Sequence, residues 1–128
     1  VELRKILYVE DDDDIRAVTV MALEMLGDFV VEACASGADA VGKAGAFAPD
    51  LLLLDVMMPG MDGPETLARL RATPGFEEVP AVFFTAKAQP DEVKRLRAAG
   101  ARDVLAKPFD PARLPAELHR IWAAARAG

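Results

Sequence analysis

A chain of 128 residues, 52% hydrophobic and 28% charged, is the size of one domain and can bury a core without disulfides or structural metals. Its formal net charge of −6 and pI near 4.8 exclude a broad basic surface, so no nucleic-acid contact is expected of this domain. The single cysteine, Cys34, excludes an internal disulfide, and no apolar stretch has secretory or membrane-spanning length; a cytoplasmic protein with no membrane partner is expected. One domain over 1–128 is expected, with residues from about 123 offering the start of a C-terminal linker. A start at Val1 rather than Met leaves a longer native chain open.

Residues 5–9, Lys-Ile-Leu-Tyr-Val, read as a short buried strand that stops at five consecutive acids, Glu10 to Asp14. A helix follows, with Ile15, Val18, Ala22, Met25 and Leu26 on one face and Gly27 suited to end it. Asp13 and Asp14 near its start are explained by capping and the helix dipole. Glu10 and Asp11, nearer the strand end, are not. Residues 29–34 read as a second strand, and Glu32 in its middle suits a sheet edge. Ser36 opens a second helix as an N-cap, with Ala38, Val41 and Ala44 as a thin apolar face, and Pro49 and Asp50 close it.

Four consecutive leucines, Leu51 to Leu54, form a strand buried on both faces, as at the centre of a parallel sheet, and it ends on Asp55. A short third helix around Leu67 and Leu70 breaks at Thr73, Pro74 and Gly75. Residues 81–84 are a fourth strand ending on Thr85. Residues 89–99 form a helix with Val93 and Leu96 inward and Gly100 as its stop. Residues 103–106 make a fifth strand ending on Lys107. A last helix starts near Leu114, because Pro115 is tolerated only in a first turn, and carries Leu118, Ile121, Trp122 and Ala125 on one face.

Strand and helix alternate five times, which predicts an α/β fold with a parallel sheet covered by helices on both faces. All parallel strands end on one edge, so Glu10, Asp11, Asp55, Thr85 and Lys107 are expected around one rim. Two carboxylates about 5 Å apart repel by roughly 3 kcal/mol at an effective dielectric of 20, and Lys107 alone cannot neutralise three. An all-oxygen cluster without His or Cys suits Mg²⁺ rather than zinc. An EF-hand calcium loop fails, since counting from Asp11 puts Arg16 at the sixth position and Ala22 at the twelfth, where Gly and Glu are needed. Carboxylates, a hydroxyl, a lysine and a divalent cation are the parts of phosphoryl transfer, with an Asp carboxylate as the nucleophile.

Glu10-Asp11, Asp55 with the 57–63 stretch Met-Met-Pro-Gly-Met-Asp-Gly, Thr85-Ala86 and Lys107-Pro108-Phe109 together resemble the receiver domain of two-component response regulators. The resemblance covers essentially the whole chain. It implies a flavodoxin-like (βα)5 fold with strand order 2-1-3-4-5, and a phosphoacceptor rather than an enzyme with a separate substrate, one that catalyses its own Mg²⁺-dependent phosphorylation and dephosphorylation. By that resemblance Asp55 accepts the phosphoryl group and Asp11 ligates Mg²⁺ directly. Glu10 acts on the ion through water, and the backbone carbonyl of Met57 is a further ligand. Thr85 binds and reports the phosphoryl group, Lys107 pairs with it, and the Lys107-Pro108 bond is cis. The implied partners are a sensor histidine kinase or histidine phosphotransfer protein upstream and an effector protein or fused output domain downstream. Monomer and phosphorylation-dependent dimer both fit.

Three residues before the lysine the family usually has Tyr or Phe, and here Val104 stands there. A β-branched side chain with one stiff torsion cannot swing as a ring does. Switching is therefore expected in the loop 86–90 and the face formed by the fourth helix, fifth strand and fifth helix. Lys87 borders the site at a position that varies in the family. A haloacid-dehalogenase-type phosphatase needs a second Asp two residues after its nucleophile, where this chain has Met57. A receiver-like interaction module that works without phosphorylation usually lacks an acid or the lysine, and here all are present. His119 and Trp122 read as a surface residue and a core residue.

Overall fold

A computed structural model describes residues 2–127. The elements follow in the order β1 (Lys5–Val9), α1 (Asp13–Met25), β2 (Val30–Cys34), α2 (Gly37–Phe47), β3 (Leu51–Asp55), α3 (Gly63–Arg71), β4 (Ala81–Thr85), α4 (Pro90–Ala98), β5 (Asp103–Ala106) and α5 (Leu114–Ala127). A 3₁₀ turn, Pro111–Arg113, leads into α5. The five strands form one parallel sheet, as the strand–helix alternation predicts, in the order β2-β1-β3-β4-β5 that the family resemblance implies.

Alternate residues of each strand face opposite layers, so the leucine run of β3 divides between two cores. Leu52 and Leu54 join Leu7, Val9 and Phe83 beneath Ala40 and Ala44 of α2, Leu67 and Leu70 of α3 and Leu96 of α4. Leu51 and Leu53 join Ile6, Tyr8, Val82 and Phe84 beneath Leu23 of α1 and Leu114, Leu118 and Ile121 of α5. Each fully buried leucine contributes about 1.5–3 kcal/mol, so β3, buried along its whole length, anchors both layers. The edge strands differ: Glu32 in β2 and Val104 in β5 are only half-buried. Val104 packs against the α2–α3–α4 layer.

Helix starts follow local chemistry. Ser36 caps α2 by accepting from the Asp39 amide at 3.1 Å, and Asp62 caps α3 by accepting from the Glu65 amide at 2.9 Å. In α1 the cap is Asp12, which accepts from the Ile15 amide at 2.9 Å; Asp13 and Asp14 occupy the first turn, where the helix dipole favours them. Gly100, at φ 115°, supplies the left-handed turn after α4.

Three expectations are corrected. The face of α1 that meets the sheet is Thr19, Ala22 and Leu23, whereas Ile15, Val18, Met25 and Leu26 lie exposed at 42–77%. The second half of α1 is apolar nearly all round, so periodicity alone did not distinguish the inner stripe from the outer one. In α2, Ala38 is exposed, and the inward residues are Gly37, Ala40 and Ala44. Trp122 is half-buried at the edge of the α1–α5 layer rather than inside it. Residues 123–127 continue α5 as helix. His119 is exposed, as expected, with its ring 5.0 Å from that of Phe29.

Candidate functional site

Strand register assembles the rim. Val9 lies opposite Leu54, so one step further along each strand sets Glu10 beside Asp55. Thr85 lies opposite Ala106, and the next residue is Lys107, whose amide donates to the Thr85 carbonyl at 2.8 Å. The amides of Glu10 and Val56 extend the ladder one step, to the Cys34 and Phe84 carbonyls, each at 3.0 Å. The side chains at this edge are therefore held by sheet hydrogen bonds rather than by loops alone.

Lys107 is the hub of the site. Its Nζ donates to Glu10 Oε1 at 2.8 Å and lies 3.0 Å from Asp55 Oδ1. Glu10 and Asp55 are nearly closed to solvent, at 1% and 4%. Glu10 Oε2 also accepts from the Asp12 amide at 3.3 Å. Burial first, and the facing Glu10 carboxyl after it, push the Asp55 carboxyl up to about 7, against the opposing pull of Lys107. Burial also works against the charge on Lys107, yet its bonds to Glu10 and Asp55 hold it above the ordinary lysine range.

Asp11 differs in being exposed, but one oxygen from each of Glu10, Asp11 and Asp55 lies within 4.8 Å of the others. Three converging carboxylates with no nitrogen or sulfur ligand in the cluster fit a hard divalent cation, and Mg²⁺ fits the donor set. Thr85 is buried at the end of β4, and its Oγ accepts from the Lys87 amide at 3.1 Å, which ties the rim to the loop before α4. The Met57 side chain is 77% exposed, as suits a residue whose expected contribution is its backbone. The Lys107-Pro108 peptide is cis.

Two residues escaped the sequence reading. Gly63 donates its amide to the Val56 carbonyl at 2.9 Å, and a Cβ there would stand 2.4 Å from the Asp55 backbone oxygen; only glycine lets α3 start so close to the strand that carries Asp55. Its place in the 57–63 stretch was the available signal. Arg16 reaches back from α1 to the Glu10 carbonyl, and nothing in its sequence position announces that contact.

A family model described as "Response regulator receiver domain" matches residues 6–119. The chain belongs to that family. This receiver domain is 40% identical over 116 residues to the transcriptional regulatory protein CseB of Streptomyces coelicolor, an alignment covering 91% of this chain and 48% of that protein. It is 35% identical over 118 residues to the phosphate regulon transcriptional regulatory protein PhoB of Escherichia coli, covering 92% of this chain and 51% of the relative. The receiver domain thus spans about half the length of these curated relatives. Among solved structures it superposes on the chemotaxis response regulator CheY4 of Vibrio cholerae with a TM-score of 0.86 at 32% identity, covering 93% of this chain and 98% of that one. Among the described residues no helix is long and apolar enough to cross a membrane.

Proposed function

We propose that this receiver domain is a phosphorylation-controlled switch in which Asp55 accepts a phosphoryl group from a sensor histidine kinase or histidine phosphotransfer protein in the cytoplasm. The observation that carries the reading is the meeting of Asp55, Glu10 and Lys107 at one sheet edge, with Asp11 within ligand distance. Asp11, Asp55 and the Met57 carbonyl would hold Mg²⁺, with Glu10 acting through water. When bound, the cation supplies charge neutralisation between the attacking carboxylate and the phosphoryl oxygens.

The chain's own residues do the rest. An Asp55 carboxylate oxygen attacks phosphorus while the bond from phosphorus to the donor nitrogen breaks, leaving an acyl phosphate on Asp55 and the imidazole on the donor. Lys107 exchanges its contact with Asp55 Oδ1 for one with a phosphoryl oxygen. The Thr85 hydroxyl donates to another and, through the Lys87 amide it already engages, passes the change to the loop before α4. Val104 offers no ring to swing, so the response is read on the α4–β5–α5 face as a shift of α4 against β5. Water later cleaves the acyl phosphate, and the domain turns over no separate substrate. An effector protein or fused output domain receives the signal, with either a monomer or a dimer formed on phosphorylation as the active species.

Incubation with acetyl phosphate and Mg²⁺ tests the reading by intact mass and peptide mapping. One phosphoryl group on the peptide containing Asp55 is expected, and none in Asp55→Asn or without Mg²⁺. Wild-type label in Asp55→Asn would place the acceptor elsewhere.

A further inference from the structure

Arg16 is the one cation within the acidic segment 10–16, and its side chain is only 22% exposed. Its Nη1 donates to the Glu10 backbone carbonyl at 2.8 Å and its Nη2 to Asp13 Oδ1 at 2.6 Å. The guanidinium therefore bridges the turn from both sides, with Asp11 and Asp12 between its two acceptors. Asp12 is fixed in addition, because its side chain caps α1 and its carbonyl accepts from the Arg16 amide at 2.9 Å.

The Asp13 contact adds little stability in itself, since that carboxylate is 86% exposed and water screens the pair. The bond to the Glu10 carbonyl is different. It is partly buried, charge-assisted and made to the main chain of a rim residue, immediately before Asp11. We infer that Arg16 is a positioning residue for the cation site: by clamping the Glu10 carbonyl from α1, it fixes the turn that presents the exposed Asp11 carboxylate to Glu10 and Asp55. The inference rests on the rim holding a divalent cation and adds a residue to that reading.

The sign of the effect separates positioning from simple charge. A guanidinium beside a cation site repels the cation, so on charge alone Arg16→Ala should tighten Mg²⁺ binding. If positioning dominates, the same substitution weakens it, about 10-fold or more, as loss of groups that orient metal ligands commonly does. Arg16→Lys keeps the charge but lacks the planar fork needed to reach both acceptors, so it should fall between wild type and Arg16→Ala. Asp13→Asn, which removes only the exposed arm of the bridge, should stay within about twofold of wild type, in line with the small worth of such pairs.

The experiment is Mg²⁺ titration of the four proteins by calorimetry, alongside amide NMR of the metal-free forms. Weaker binding in the order wild type, Lys, Ala, with shifted Asp11 and Asp12 amides in metal-free Arg16→Ala, is the expected result. Equal or tighter Mg²⁺ binding by Arg16→Ala or Arg16→Lys overturns the inference, as do unmoved Asp11 and Asp12 amides. Should Arg16→Ala fail to fold, Arg16→Lys decides by the same two readouts. Absence of Mg²⁺ binding in the wild type itself would instead strike the reading of the rim.

Discussion

Two groups of carboxylates lie side by side in this domain and behave as different materials. Glu10 and Asp55 are buried, share one lysine and leave Asp55 titrating near 7. Asp12, Asp13 and Asp14, a few residues on, are exposed and serve the start of α1 through a cap and the helix dipole. The residue type is nearly the same in both groups. What differs is solvent, because a charge at a dry sheet edge must find a partner or a proton, whereas a charge on an open helix turn is screened and worth tenths of a kcal/mol. Asp11 stands at the boundary, exposed like the second group but converging with the first.

The comparison breaks most sharply at Lys107. Lys107→Met strands two buried carboxylates, and the metal-free domain should lose about 3 kcal/mol, the low end for a broken buried pair because the lysine side chain keeps 22% of its surface in water. Urea unfolding in a chelator measures it. Stability within about 0.5 kcal/mol of wild type would mean the rim behaves like an exposed charge cluster.

A smaller effect, visible only against pH, belongs to Asp55. Its folded-state value, raised from 3.8 to about 7, means the native state holds the proton more tightly than the unfolded chain does. That contribution is complete below the unfolded value and is lost as pH rises from there through about 7. Asp55→Asn never ionises, so without metal its stability relative to wild type should improve between about pH 5 and about pH 8. A pH-independent difference in melting temperature would contradict the raised value.

The smallest effects lie in the exposed group and separate its members. Asp12→Ala removes the cap bond to Ile15 and should cost about 1 kcal/mol, whereas Asp14→Ala, which has only the dipole to lose, should change stability by about 0.5 kcal/mol or less. Equal losses in thermal melts would show that the cap is not at Asp12.

The rim was legible because strand ends are local features: Asp55 follows four leucines, Thr85 follows Phe84 and Lys107 follows Ala106, and parallel topology does the rest. The inner face of α1 was not, since Val18, Met21, Ala22, Leu23, Met25 and Leu26 surround that helix with apolar side chains and the sheet's position selects among them. Arg16 and Gly63 act through main-chain groups across a turn and a helix start. The Arg16 contact depends on closure of the backbone in space, which residue type and spacing do not encode, whereas Gly63 was signalled by its place in the 57–63 stretch. Val104 was legible as a departure from the family, and its half-buried place against the α4 layer follows from lying on an edge strand.

The register that brings Glu10, Asp55, Thr85 and Lys107 together has a consequence for divergence. These side chains hang from strand ends, and among the described residues no outward-facing residue of α2, α4 or α5 is bonded to any of them. Substitutions on those helix surfaces can accumulate while the strand-end residues persist. Residues on those surfaces can therefore be exchanged without breaking a hydrogen bond to the sheet edge.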